Sequence, residues 1–224
     1  MPSTKNDNYN WLTQNSKIKK MSGVKTFNWG IPAYRAADGT KTCPNAAACA
    51  TGCYATMGAY KFSNVARVFE QRLKLTKAPN FTLIINAEIK RRGVKRLRIH
   101  DSGDFYSREY LERWLSIIRA NPGTQFYAYT KMVSMLKELT EDGLIPSNFT
   151  IIYSYGGTED KLINRNVDRH SWVFSSQAAL VAAGYTDSSE NDAVAAEGTN
   201  HRIGLVYHGT KNLSNTNWEK VKAA

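Results

Sequence analysis

At 224 residues, with 42% hydrophobic and 11% aromatic residues, the chain has the usage of a folded globular domain, which excludes a disordered protein. Its formal charge of +11 favours contact with nucleic acid or another anionic surface and says nothing about fold. The amino-terminal segment has no apolar signal core, and no apolar run reaches membrane-spanning length. Those two features point to a soluble, cytoplasmic protein with reduced thiols and no membrane partner.

Residues 1–22 read as a flexible basic arm with one tryptophan, Trp11, and with Lys17, Lys19 and Lys20. Residues 23–224 read as a single α/β domain. The run VKTFNWGIPAY, from Val24, supplies a first strand. It leads into TCPNAAACATGCYATMGAY, Thr42 to Tyr60, which holds all three cysteines of the chain, Cys43, Cys49 and Cys53. Thiolates gathered in one Pro/Gly/Ala-rich loop suit a soft metal centre. Three such ligands predict a [4Fe-4S] cluster with one iron left for a non-cysteine ligand, since a cubane normally takes four thiolates. Two alternatives stay open. One is a structural zinc site completed by His100, His170, His201 or His208; the other is three unligated thiols, or one disulfide with a thiol left over.

Further along, Ser63–Thr76 reads as a helix with Val65, Val68, Phe69 and Leu73 on one face, and Asn80–Arg92 as a second helix stopped by Gly93. KRLRIHDSGDF is a short strand that ends in a polar corner. Ser107 caps a helix through Ala120 with Tyr110, Leu111, Trp114, Leu115 and Ile118 on its apolar side. The alternation then repeats: strand QFYAYTK and helix MVSMLKELTEDG, strand NFTIIYSY, strand SWVFSS with the Ala-rich segment QAALVAAG, a polar loop over 185–200, and a last strand RIGLVYHGT. Strands alternating with helices predict a mainly parallel sheet of about six strands, too few for a closed eight-stranded barrel. An open, partial β/α barrel follows, with a doubly wound sheet as the runner-up.

Each strand ends in polar side chains: His100-Asp101-Ser102-Gly103-Asp104, Tyr129-Thr130-Lys131, Ser154-Tyr155-Gly156, Ser175-Ser176-Gln177 and Tyr207-His208-Gly209. In β/α architectures the carboxyl ends of the strands form the functional face, and the cysteine loop opens on the same side. Helix capping alone also explains Ser102 and Asp104.

A cysteine cluster after the first strand, with a small-Gly-acid corner after the second, resembles the radical S-adenosylmethionine superfamily. TCPNAAACATGCYATMGAY, RIHDSGDFYSREYLERW and FYAYTK together are more similar to a phage domain family, "gene product eighty-eight", over roughly residues 24–210. That resemblance implies a bacteriophage protein working in the host cytoplasm. The superfamily resemblance implies a cluster on Cys43, Cys49 and Cys53, shielded by Tyr54, with Ser102, Gly103 and Asp104 orienting the amino group of S-adenosylmethionine. Two departures are the C-x5-C-x3-C spacing and a second motif with one glycine and Asp104.

The competing class is a nucleic-acid-binding protein with a structural zinc. Its support is KRRGVKRLR, in which Lys90, Arg91, Arg92, Lys95, Arg96 and Arg98 fill six of nine positions. The run precedes its strand, hence sits at the far end of the sheet from the polar corners, and reads as a solvated or docking face. A third class is a protein acting through contacts with a host redox partner or another host protein.

Overall fold

The computed structural model describes residues 10–21 and 23–207. The chain first makes one helical turn, α1 (Ser16–Lys19), whose Asn15 side chain accepts from Ile18 N. Strand β1 (Thr26–Trp29) follows, and a long loop carrying the turn α2 (Ala48–Thr51) leads to α3 (Ser63–Thr76) and α4 (Phe81–Arg92). Then come β2 (Arg96–Ile99), α5 (Arg108–Ala120), β3 (Gln125–Thr130), α6 (Val133–Glu141) and β4 (Phe149–Ser154). The chain closes with β5 (His170–Phe174), α7 (Gln177–Ala182), β6 (Thr186–Asp187), α8 (Ala193–Glu197) and β7 (Arg202–Val206).

Local chemistry accounts for several boundaries. Ser107 caps α5 by accepting from Tyr110 N at 3.2 Å. Gly93 ends α4 in the left-handed region, with φ +57°. Ser63 is the first residue of α3 rather than its cap; Phe62 takes the cap position and contributes no side-chain bond.

All pairings between these strands are parallel, in the order β1-β2-β3-β4-β5-β7-β6, and β1 and β6 do not meet. The result is a curled, open half-barrel with seven strands among the described residues. The partial β/α barrel expected from the alternation is therefore the architecture. The additional strand is β6, two residues long and paired at Thr186–Ile203 and Asp187–Gly204. It lies in the stretch read as a polar loop, because two residues are too few to display a period-2 pattern. The first strand spans four residues, Thr26–Trp29. His208 and everything after it lie outside the described residues.

Successive residues of a strand face opposite sides, and both sides are buried, as in parallel sheets generally. Outward, Phe27, Trp29, Leu97, Ile99, Phe126 and Ala128 pack beneath the helices. Trp29 meets Phe81 of α4 and Trp114 of α5, each at 5.7 Å between ring centroids. Inward, Tyr127, Ile152 and Ile203 pack against Ile18 of α1 and Ala195 and Ala196 of α8. Residues 10–21, within the stretch read as an arm, bury Leu12 and Ile18 and place Thr13 antiparallel to Asn28, covering the β1 edge.

Candidate functional site

The loop Thr42–Tyr60 lies across the carboxyl ends of β2, β3 and β4. Asp104 N donates to Thr42 O at 3.0 Å, and the Tyr54 hydroxyl donates to Asp101 O. Ala47 N and Cys49 N both donate to Gly156 O at 3.1 Å, and Asn45 Nδ2 donates to Lys131 O at 3.2 Å. The cysteine loop and the polar strand ends thus share one mouth.

The corner after β2 is built by the residues Ser102, Gly103 and Asp104. His100 leaves the strand at φ +65°, a left-handed conformation uncommon outside glycine. Ser102 O accepts from Ile31 N at 3.0 Å. Gly103 has φ +81°, and a Cβ there would stand 2.3 Å from Ile31 Cγ1, so only glycine suits the corner. Asp104 is buried: Oδ1 accepts from Thr130 Oγ1 at 2.7 Å and Phe105 N at 2.8 Å, and Oδ2 from Lys131 N at 2.9 Å. Its carboxylate pins the β2 corner to the end of β3. Asp101 turns inward, where Oδ2 accepts from Asn28 Nδ2 at 2.7 Å and Asn15 Nδ2 at 3.3 Å.

Beyond that pin, Lys131 reaches along Gly157 and donates from Nζ to Ser154 Oγ at 3.0 Å. No carboxylate among the described residues pairs with this ammonium. The two nearby acids are already engaged, Asp104 as described and Asp160 by Gly156 N at 2.9 Å and Gly157 N at 2.8 Å. Burial alone would lower Lys131. The Asp104 and Asp160 carboxylates oppose it, and the ammonium is held above its ordinary value.

The three cysteines are free and half-buried. Burial pushes the Cys43 thiol up to about 12, and burial also raises Cys53, so both are neutral thiols near pH 7. Cys43 Sγ accepts from Tyr34 N at 3.3 Å. Reading the chain as an iron–sulfur protein with cluster ligands Cys43, Cys49 and Cys53 is corrected here. No three His, Cys, Asp or Glu side chains among the described residues come together as a group able to hold a metal ion. The backbone anchors the cysteines to different segments: Cys43 N donates to Tyr34 O at 3.4 Å, whereas Cys49 N donates to Gly156 O at 3.1 Å. The arrangement does not fit a cubane cluster, and the radical chemistry expected from one has no support in this geometry.

The zinc alternative meets the same geometry. His100 Nε2 bonds Tyr110 Oη at 3.0 Å, His170 is held by Asp168 O and Tyr185 Oη at 2.9 Å each, and His201 Nδ1 lies 3.2 Å from Val167 O. The fourth candidate, His208, lies outside the described residues.

The basic run at residues 90–98 is divided by the fold. Arg91 and Arg92 pair with Glu88 at 2.7 and 3.4 Å, and Arg92 covers the Phe27 ring at 4.1 Å. Arg98 faces inward and pairs with Asp192 at 2.7 Å. Reading along the chain, Lys131 and Ser154 stood among the polar strand ends but could not be singled out. What distinguishes them is a contact between adjacent strands.

No helix among the described residues is long and apolar enough to cross a membrane. No solved structure matches the chain. A curated relative, the Gene 88 protein of Mycobacterium phage L5, is 34% identical over 103 residues, which is 41% of this chain and 43% of that protein. The chain thus aligns with less than half the length of that relative. The match to the family described as Gene product 88 runs over residues 3–222, nearly the whole sequence, and the chain belongs to that phage protein family.

Proposed function

We propose that the strand-end mouth is a receptor site for a small molecule bearing a carboxylate group, and that the protein acts by binding it. The observation carrying this reading is the Lys131 ammonium, hydrogen-bonded to Ser154 Oγ and paired with no carboxylate among the described residues. The ammonium stays charged, and its one hydrogen bond is to a neutral hydroxyl, so it keeps donors for a charge-assisted bond to an anionic ligand. One ammonium and one hydroxyl match a singly charged group. Asp104 and Asp160, both close enough to act on Lys131, disfavour a dianion. The neutral thiols bordering Lys131 offer weak donors and soft surface rather than a nucleophile.

Thermal unfolding in sodium acetate or sodium butyrate, against sodium chloride at matched ionic strength, tests the reading. Ligand in hundredfold excess over Kd contributes about 2.7 kcal/mol, which in a chain of this size raises Tm by roughly 5–10 °C. The rise should saturate and should vanish in Lys131→Met. A rise of equal size in that variant, or none in wild type, overturns the assignment.

A further inference from the structure

The later part of the connection between β4 and β5, after the residues that border the mouth, carries a second feature. The connection runs from the carboxyl end of one strand to the amino end of the next, through a 3₁₀ turn at Asp160–Leu162. Between this connection and the start of β7 lies a cleft of about 580 Å³, lined by Lys161, Asn164, Arg165, Asn166 and Arg202 together with Leu162 and Ile163. Its volume falls within the range of small-molecule sites, roughly 300–1,000 Å³.

Three cations face this cleft, and none of them forms an ion pair with a carboxylate among the described residues. The neighbouring acid, Asp168, is paired with Lys137 at 2.7 Å and also accepts from Asn164 N at 2.7 Å. Arg165 is held in place from beneath. Its guanidinium carbon sits 5.9 Å from the Trp172 ring centre, and Nη2 donates to Tyr185 Oη at 3.4 Å. Tyr185 is itself fixed by His170. Asn164 Oδ1 accepts from Asn166 N at 3.0 Å, which shapes the turn that carries Arg165.

A guanidinium braced on an aromatic ring, a second guanidinium and an ammonium around one cavity form a donor set for a multiply charged oxyanion. Arginine's planar fork matches phosphate bidentately. We propose that this cleft binds a phosphate-bearing ligand of nucleotide size, with Arg165 and Arg202 gripping the phosphate and Lys161 adding charge. The same phosphate chemistry is offered by a free nucleotide and by the backbone of a nucleic acid.

Calorimetric titration of the full chain with AMP, and separately with a twenty-nucleotide thymidine oligomer, tests this and identifies the source. Binding is expected to weaken roughly tenfold or more in Arg165→Gln and in Arg202→Gln, the loss of a charge-assisted contact. Arg165→Lys should recover only part of the loss, because charge without the fork is retained. Arg202 is exposed, so its variant folds even if changes at Arg165 do not. Lys131→Met should leave this binding unchanged, which keeps the outcome separate from the mouth. Tighter binding of the oligomer, with the same variant sensitivity, assigns the phosphate to nucleic acid; preference for AMP assigns it to a nucleotide. Absence of binding by both probes, or equal binding by Arg202→Gln, overturns the proposal.

Discussion

At the scale of single residues, His100 shows how position overrides type. A histidine at a strand end beside acids reads as a catalytic or metal-binding group, yet here burial, with the Arg98 charge adding to it, pushes its pKa down to about 3. It is a neutral partner of Tyr110, not a ligand. The folded value lies below the unfolded one of about 6.5, so the unfolded state binds the extra proton between the two. Stability therefore rises with pH through the window from about 3 to 6.5, with His100 contributing up to about 1.4 kcal/mol per unit. Urea denaturation across that window should show this slope in wild type. It should be distinctly flatter in His100→Asn, which also tolerates the positive φ. Equal slopes would mean that His100 is not the group responsible. Asp104 teaches the same lesson: an acid after Ser-Gly suggested a ligand contact, and its oxygens are taken by Thr130, Lys131 and Phe105 within the protein.

At the scale of elements, the connection from β2 to α5 positions the whole mouth. Its two ends were legible in the chain, the strand from Leu97 and Ile99 alternating with basic residues and the helix from Ser107 and its apolar stripe. The route between them was not, because it depends on the approach of Ile31 from the neighbouring strand. Gly103→Ala should cost about 1–3 kcal/mol, since it adds a left-handed penalty and a methyl group driven into Ile31. A shift in the urea midpoint measures it, and an unchanged midpoint would show that the corner relaxes freely. The short elements α1, β6 and α8 were not legible, because two to five residues carry no measurable period.

At the scale of the molecule, an open half-barrel needs something to fill its inner face. The chain uses two segments far apart in sequence for this, with α1 and α8 meeting over Tyr127 and Ile203. Asp192 ties them together: it accepts Lys17 at 2.8 Å from α1, Arg98 at 2.7 Å from β2 and the Tyr127 hydroxyl at 3.1 Å. Burial alone would raise the Asp192 pKa, but Arg98 and Lys17 outweigh it and hold the carboxyl below its ordinary range. Its contribution is thus present above pH 4 and fades as pH falls through the depressed value. Asp192→Ala leaves two cations buried without a partner, and a loss of about 3–5 kcal/mol is expected in equilibrium unfolding. A loss below about 1 kcal/mol would show that water replaces the carboxylate and that the network does not hold the inner face.

By itself the sequence determined the parallel α/β architecture, the positions of the long helices and the gathering of polar groups at the strand ends. Those features are written in local periodicity and turn chemistry, which act within a few residues. Only the tertiary structure decided that Cys43, Cys49 and Cys53 do not converge as a metal group, that the run at residues 90–98 is split between surface and interior, and that Lys161, Arg165 and Arg202 share one cleft. Each of these depends on distances between segments far apart in the chain, and spacing along a sequence does not encode how backbone anchors on different strands place the side chains.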